Sequence, residues 1–368
     1  MARVLVVSHS AKDRDLVLWK SVLEHNPLVD LVIPILESEK LPGLQETLLG
    51  HPRVVPLPAI EPFGKGHSSM WIKGLPKLAA SGKYDLVHVA FEPWALIPQA
   101  ICGKVPTVVH GAESVVREAP LLLRVRRVGI GRVLKKAAGV LAWGQTSLDA
   151  FREVGLPETT PQGVIPVGIP DPSFFKPVPL DLAPGPLRVL FVGRLVPEKG
   201  ILTLINAAGT LNRLIHLRVF GGGPLQNSLA DLASAYPDVI LSVEGIGTAE
   251  QVAAGMAWSH VVVIPSEPHE SWKEQWGRVA VEAMLSGRPT VVSDSGELPL
   301  LVAEPKLVFP AGDTVALAAI LERLDENRQE LSNIGEKLRE SAERFSPDKL
   351  VLELDEFWNQ VERSTHRH

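Results

Sequence analysis

The feature that most constrains the fold is an alternation of short apolar runs with segments of helical period along almost the whole chain. In the first half the runs are RVLVVS, LVDLVIP, YDLVHVA, TVVHG and GVLAWG, and segments such as LVLWKSVLEH and SLDAFREVG lie between them. Strands that are apolar on both faces and alternate with amphipathic helices are typical of a parallel sheet covered by helices on both sides.

A proline-rich stretch over residues 166–187 interrupts this alternation. After it the pattern starts again with RVLFVG, HLRVFGG, VILSVEG, HVVVIPS and PTVVSD. The sequence therefore predicts an α/β protein of two Rossmann-like, doubly wound domains, residues 1–168 and 188–346, joined by a linker over 169–187. Ligands of open parallel sheets bind beyond the carboxyl ends of the strands, so we expect two such domains to face each other across a cleft.

Composition excludes several classes of protein. Hydrophobic residues make up 45% of the 368, which is enough apolar surface to exclude general disorder. The formal net charge of −5, from 37 basic and 42 acidic residues, argues against a nucleic-acid partner. The single cysteine, Cys102, excludes an intramolecular disulfide. No uncharged apolar run has the length of a membrane span, and the apolar run at the N-terminus is too short for a signal-peptide core, so we expect a cytoplasmic protein.

The strongest candidate site lies in residues 265–287, where a polar loop follows a predicted strand and leads into a helix. The loop carries Glu274 and the helix carries Glu282, and Gly277 at the turn lets backbone amides face an anion at the helix N-terminus. A second candidate consists of Arg194 and Lys199, two cations after another strand, a pattern that suits a diphosphate.

Two further features are weaker candidates. A glycine-rich turn at 220–225 suits a phosphate, but glycine there serves close packing equally well. His110 ends the strand TVVHG and faces the predicted cleft, but a lone histidine is more often a satisfied core residue.

Taken in order, the motifs GRL-x-x-EKG, G-x-GP and E-x7-E resemble those of the retaining glycosyltransferases of family 4, the glycosyl transferases group 1, which have the GT-B fold. The resemblance covers about residues 188–300 and extends more loosely to VIPVGIPDPSFF and TVVHG. It implies a hexosyltransferase whose second domain holds a nucleotide-diphospho-sugar, with a UDP-sugar favoured over a GDP-sugar. It also implies a glycan or lipid-linked acceptor, and a final helix at about 347–364 that crosses back onto the first domain.

The same resemblance assigns roles to five side chains. Arg194 and Lys199 would bind the donor diphosphate and stabilise the departing nucleotide, Glu274 would contact hydroxyls of the donor sugar, and Glu282 would hold the ribose. His110 would line the reaction centre. Positive charge placed where the leaving group becomes an anion can replace a metal, so neither a metal nor another cofactor is expected.

The remaining donor-binding positions implied by the resemblance are expected to lie near the nucleobase, the sugar or the phosphates, some of them acting through backbone amides. They are Gly193, Gly245, Gly247, Gln275, Trp276 and Gly277. The first strand-to-helix turn departs from the family, because it reads VVSHSAKD where many members have a glycine pair. Side chains from Ser8 to Lys12 would have to replace the backbone contact there.

Two acidic strings are weak candidates for metal ligands. Asp13-Arg14-Asp15 lies at a helix start, where the helix dipole favours acids without any metal. His269-Glu270 has no partner at ligand spacing.

Residues 116–139 combine many basic side chains with leucine and valine. Either this segment makes a peripheral contact with anionic lipid at the inner face of the membrane, or it is a solvated helix whose leucines pack on the first domain. Two other functions also stay open, a nucleotide-sugar epimerase on the same fold and a non-catalytic nucleotide-sugar or glycan-binding protein.

Overall fold

The computed structural model describes residues 2–9, 13–36, 48–62, 69–113, 121–270 and 272–365, and the chain divides into two compact units. The first unit contains the chain up to Ile169 together with the segment from Pro347 onward. The second unit runs from Pro170 to Ser346.

The first unit is built on one sheet of largely buried strands. These strands are β1 (Val4–Ser8), β2 (Val29–Leu36), β3 (Val54–Ile60), β4 (Trp71–Ile72), β5 (Leu86–Ala90), β6 (Thr107–Gly111), β7 (Gly139–Ala142) and β8 (Gln162–Val164). Their order is β4-β3-β2-β1-β5-β6-β7-β8, and only β3 and β4 pair antiparallel. The helices between them are α1 (Asp13–His25), α2 (Leu75–Ala79), α3 (Leu96–Ile101), α4 (Leu121–Lys136) and α5 (Gln145–Glu153).

The sequence pattern identified the central strands of this sheet but not β3, β4 and β8. β1, β5, β6 and β7 are buried at every position, as expected for parallel strands covered on both faces. β3 escaped prediction because Pro56 and Pro58 interrupt it, and proline lacks the amide that a central strand needs. β3 tolerates them beside the two-residue β4, near the end of the sheet.

The second unit contains a parallel sheet in the order β11-β10-β9-β12-β13-β14. Its strands are β9 (Leu187–Val192), β10 (Ile215–Phe220), β11 (Val239–Gly245), β12 (Val261–Ile264), β13 (Thr290–Ser293) and β14 (Val308–Phe309). Its helices are α6 (Ile201–Gly209), α7 (Leu229–Ser234), α8 (Ala249–Trp258), α9 (Arg278–Leu285), α10 (Leu298–Val302), α11 (Thr314–Glu326) and α12 (Arg328–Ala342). The five strands predicted for this half are confirmed.

The proline-rich segment predicted as a linker is counted with the second unit from Pro170 onward. Side chains of that unit donate hydrogen bonds to its backbone carbonyls. Arg288 Nη2 lies 2.8 Å from Val178 O, His260 Nε2 lies 2.7 Å from Asp181 O, and Arg328 Nη2 lies 2.6 Å from Gly185 O. The segment is thereby bound to one unit although it forms no regular element.

The last helix, α13 (Pro347–Thr365), returns to the first unit. It packs a row of buried side chains into the core formed by β1, β2 and α1, and Trp358 at its centre is among the most buried large side chains. Among the helices of the described residues, none is long and apolar enough to cross a membrane.

The last turns of α4 belong to the basic segment 116–139. Val133 and Leu134 are buried in the first unit, whereas Arg132, Lys135 and Lys136 are exposed. Val128 is an exposed apolar side chain on the same helix. This part of the helix therefore packs Val133 and Leu134 inward but leaves Val128 exposed, and residues 116–120 lie outside the described residues.

Candidate functional site

The candidate site lies in the second unit at the point where the strand order reverses. β9 and β12 are neighbours in the sheet, but the chain visits β10 and β11 between them. Helices that follow such a pair of strands leave towards opposite faces, which opens a crevice at the carboxyl ends. Arg194 and Lys199 follow β9, and the loop that carries Glu274 follows β12.

Lys199 and Glu274 form an ion pair at this crevice. Lys199 Nζ lies 2.7 Å from Glu274 Oε2, and the side chains are 19% and 14% exposed. Lys199 ends a short 3₁₀ turn (Pro197–Lys199), and Gly200 follows with φ +68°. A Cβ on Gly200 would lie 1.8 Å from Pro265 O, so only glycine lets this turn approach the end of β12 so closely.

Neighbouring strand ends hold Glu274 in place. Ser266 Oγ donates to the same carboxylate oxygen, Oε2, at 2.7 Å. The backbone nitrogen of Glu274 donates to Ser295 Oγ at 3.3 Å. Gly296 (φ +57°) lies against the backbone of Glu274, and a Cβ on Gly296 would be 2.0 Å from Glu274 O. Residues after β12 and β13 therefore clamp both the side chain and the backbone of Glu274.

Trp272 lies beside the ion pair. Lys199 Nζ is 4.8 Å from the centre of the Trp272 ring, within range of a cation–π attraction. Trp272 and His269 exchange two backbone hydrogen bonds of 2.8 and 3.0 Å and stack their rings. The described residues contain no group of three or more histidine, cysteine or acidic side chains arranged to hold a metal ion.

Arg194 is the more exposed of the two predicted cations. Its side chain is 63% exposed and pairs with Glu198 at 3.3 Å, four residues further along the chain. An exposed ion pair of this kind contributes little stability, so Arg194 can exchange Glu198 for a stronger anion.

Glu282 is buried in α9 and already has a partner. Arg278 Nε lies 2.9 Å from its Oε1, one turn earlier in the helix. Gly277 precedes the helix with φ +76°, and a Cβ there would also touch Leu298 at 2.6 Å. A ligand that uses Glu282 must therefore share the carboxylate with Arg278 or displace it.

The side chain of Trp276 does not belong to the donor site that the sequence predicted. Its ring is buried and packs edge-to-face on Phe345, with ring centres 4.9 Å apart. Gln275, in contrast, is only half-buried. Since the Trp276 ring is part of the core of the second unit, only the backbone of Trp276 is left to meet a ligand.

The glycines expected near the nucleobase follow β11. Gly245 has φ +73° and open space around it, whereas Gly247 packs on Phe220. Ile246 between them is 86% exposed, an unusual state for isoleucine. Gly193 follows β9. A Cβ added to Gly221 would lie 1.8 Å from the carbonyl oxygen of Gly193.

The structure does not support the prediction that His110 lines the reaction centre. His110 is buried in β6 of the first unit, with Nδ1 3.0 Å from His88 Nε2 and Nε2 2.6 Å from Ile165 O. Burial lowers the pKa of His110 to about 3. Both ring nitrogens are engaged within the first unit, so His110 is a satisfied core histidine.

The first strand-to-helix turn, where the sequence lacks glycine, is described only in part. Ser8 is buried at the end of β1, and His9 lies near the rings of Phe91 and Trp143. Residues 10–12, including Lys12, lie outside the described residues.

Two residues of the site, Ser266 and Ser295, were not indicated by any sequence motif. Each of them follows closely after a strand of the second sheet, which was the available signal. Small polar residues at strand ends are too common to single out without knowledge of which strands are neighbours.

Residues 186–327 match the family model described as "Glycosyl transferases group 1", so this part of the chain is a domain of that class. The curated relatives include the MMP alpha-(1->4)-mannosyltransferase of Mycolicibacterium hassiacum, 32% identical over 192 residues, which are 49% of this chain and 43% of that protein. A D-inositol 3-phosphate glycosyltransferase of Pseudarthrobacter chlorophenolicus is 28% identical over 289 residues, 71% of this chain and 62% of that protein. The chain spans 18%, 43% and 30% of the first three curated relatives.

Solved structures resemble the chain over almost its whole length. HepE from Anabaena, solved with UDP and glucose, has a TM-score of 0.72 at 21% identity and covers 98% of this chain and 100% of its own. Sucrose-phosphate synthase from Thermosynechococcus elongatus has a TM-score of 0.72 at 20% identity and covers 98% of this chain and 99% of its own. The fold is therefore that of the GT-B glycosyltransferases, with two parallel-sheet α/β domains.

Proposed function

We propose that the protein is a retaining glycosyltransferase that moves a hexose from a nucleotide-diphospho-sugar to a glycan or lipid-linked acceptor. The observation that carries this proposal is the ion pair of Lys199 and Glu274 at the reversal of strand order in the second unit. The match of residues 186–327 to a glycosyltransferase family model supports it.

The proposed chemistry follows from the charges at this edge of the sheet. Transfer breaks the bond between the sugar and the diphosphate, so negative charge grows on the leaving phosphate while the sugar becomes oxocarbenium-like. Lys199 and an Arg194 released from Glu198 would supply fixed positive charge at the phosphate. Glu274 would accept hydrogen bonds from the sugar hydroxyls, and Glu282 from the ribose.

A UDP-sugar is the proposed donor, with a GDP-sugar as the alternative. The structural neighbour HepE was solved with UDP and glucose, which supports uridine. Ile246 between Gly245 and Gly247 offers an exposed apolar surface that a planar base would cover, and there is open space beside Gly245. Neither metal nor organic cofactor is part of the proposal.

The proposal also covers the stereochemical course and the acceptor. Retention is proposed from the resemblance of the E-x7-E region alone, and the anomeric configuration of the product, read by NMR, tests it. A lipid-linked acceptor agrees with the exposed Val128, Arg132, Lys135 and Lys136 of α4. Flotation with anionic and neutral vesicles tests whether this helix contacts a membrane.

Thermal stabilisation by UDP, GDP, ADP and their common sugar conjugates is the first experiment. A ligand at 100 times its dissociation constant adds about 2.7 kcal/mol to the free energy of unfolding, a visible shift. We expect one base to stabilise clearly. No shift with any nucleotide in a folded sample would overturn the proposed function.

A second arm separates the alternatives. We expect that incubation of the stabilising donor without acceptor leaves the configuration of its sugar unchanged. An epimerase, in contrast, would convert the sugar of the donor without any acceptor. Transfer or slow hydrolysis of that donor excludes a protein that only binds it.

A further inference from the structure

We infer that Ser266 is a positioning residue, which turns the carboxylate of Glu274 so that Oε1 is the oxygen presented to the sugar of the donor. This inference rests on the proposed function and adds to it the means by which the sugar contact is oriented. The sequence motifs gave Ser266 no role.

The two oxygens of Glu274 have different surroundings. Oε2 accepts hydrogen bonds from Lys199 Nζ and Ser266 Oγ, each at 2.7 Å. Among the hydrogen bonds of the described residues, none reaches Oε1. A carboxylate normally turns easily about its last bond, so its two oxygens interchange. Two donors that converge on one oxygen from different directions oppose that rotation.

Ser266 is itself fixed. It is fully buried at the end of β12, and its carbonyl oxygen accepts a 2.5 Å hydrogen bond from Ser293 Oγ of the neighbouring β13. The hydroxyl has a single proton, which the bond to Glu274 uses. Lys199, by contrast, has three donors on a flexible stem and could follow either oxygen. Ser266 is therefore the group that decides which oxygen of Glu274 remains available.

Removal of the hydroxyl should affect sugar binding but not nucleotide binding. In S266A, Lys199 is the only side-chain partner of Glu274 that remains in the described site. The carboxylate can then rotate so that either oxygen, or both, face the ammonium of Lys199. The bond from Ser266 ends on Glu274, the residue proposed to contact the sugar, and not on Glu282 or Arg194. A nucleoside diphosphate without sugar should not detect the loss.

Calorimetric titration of four ligands tests this difference: UDP, UDP-glucose, GDP and GDP-mannose. For the base that binds, we expect the affinity of S266A for the nucleoside diphosphate to stay within about twofold of that of the unchanged protein. Its affinity for the sugar conjugate should fall about tenfold, the effect expected when one hydrogen bond to a charged group is lost. S266T, which keeps the hydroxyl, should restore most of the loss. Should S266A fail to fold, S266C replaces it, because the thiol is a weak donor of similar size and should show the same selective loss.

Ser259→Ala is the matched control. Ser259 is equally buried in the second unit, but its hydroxyl bonds Met256 O at 2.9 Å, at the end of α8. The ratio of the two affinities should not change in this variant. An equal loss for diphosphate and sugar conjugate in S266A, or no loss for either, would overturn the inference and leave the proposed function intact. If the unchanged protein binds none of these four ligands and neither ADP nor its sugar conjugates, the proposed function and this inference both fail.

Discussion

Trp358 Nε1 donates a 2.9 Å hydrogen bond to His88 Nδ1, although 270 positions separate the two residues in the chain. Because this nitrogen of His88 accepts, its Nε2 carries the proton and donates to Nδ1 of His110 at 3.0 Å. His110 Nε2 in turn donates to Ile165 O at 2.6 Å. The partners thus assign the tautomer of both histidines and join the C-terminal helix to the centre of the first sheet.

The bond from Trp358 should contribute measurably to stability, and Trp19 provides a matched comparison. The Trp19 ring also packs edge-on against His88, but its Nε1 has no hydrogen-bond partner among the described residues. Trp358→Phe leaves a buried acceptor unpaired, whereas Trp19→Phe removes an unpaired donor. We expect the first variant to lose about 1–3 kcal/mol more in the free energy of unfolding than the second. Denaturant titration measures both, and equal losses would mean that the bond has no net value.

The buried histidine pair, His88 and His110, should make the protein less stable as the pH falls. Burial lowers the pKa of His110 from 6.5 to about 3, and it lowers the pKa of His88 well below 6.5. Below about pH 6.5 the unfolded chain binds protons at these positions while the folded chain does not, so the free energy of unfolding decreases with falling pH. The loss is about 1.4 kcal/mol per pH unit for each histidine, and it is absent above pH 7.

Denaturant midpoints at pH 7, 6 and 5 measure this dependence. His110→Asn should flatten the slope, whereas His25→Asn, at the exposed end of α1, should leave it unchanged. A His110→Asn protein with the full slope would assign the pH dependence to other groups.

The sequence identified the two sheets and the candidate cations and acids, but not how side chains meet. Lys199 and Glu274 are 75 positions apart, and their contact follows from the reversal of strand order, which alternation of apolar runs cannot reveal. The sequence places Trp276 in the donor site because of its position in a motif, and His110 at the reaction centre because of its position at a strand end. Their partners, Phe345 and His88, come from other elements of the same unit.

Glu282 should contribute to nucleotide binding whichever sugar the donor carries. Glu282→Gln keeps the shape of the side chain but weakens its acceptor, and we expect about tenfold weaker binding of the preferred nucleoside diphosphate. Glu336→Gln is the control, because Glu336 also pairs with an arginine of its own helix, Arg339, but lies in α12 outside the candidate site. Calorimetry measures both, and equal affinities in the two variants would remove the ribose role of Glu282.

The two cations should matter for turnover more than for folding. Lys199→Ala and Arg194→Ala should each lower the transfer rate by about 10²–10³, as expected when a group that stabilises developing charge is removed. Lys306→Ala, at an exposed position of the second unit, should leave the rate unchanged. Rates close to normal in both site variants would contradict a diphosphate-binding role for this turn.

Gly296 should not tolerate a side chain, because a Cβ there would clash with the backbone of Glu274. Gly312 serves as the comparison that separates this clash from the effect of a positive φ. Gly296 and Gly312 both have positive φ, +57° and +78°, so alanine at either position carries a backbone strain of about 1–2 kcal/mol. At Gly312 nothing lies within 4 Å of an added Cβ, whereas at Gly296 the Cβ would lie 2.0 Å from Glu274 O. Gly312→Ala should therefore lose stability alone. Gly296→Ala should in addition displace Glu274 and with it the partner of Lys199, so binding of the sugar conjugate should fall at least tenfold. Normal binding of the sugar conjugate by folded Gly296→Ala would show that the contact to the Glu274 backbone does not position the carboxylate.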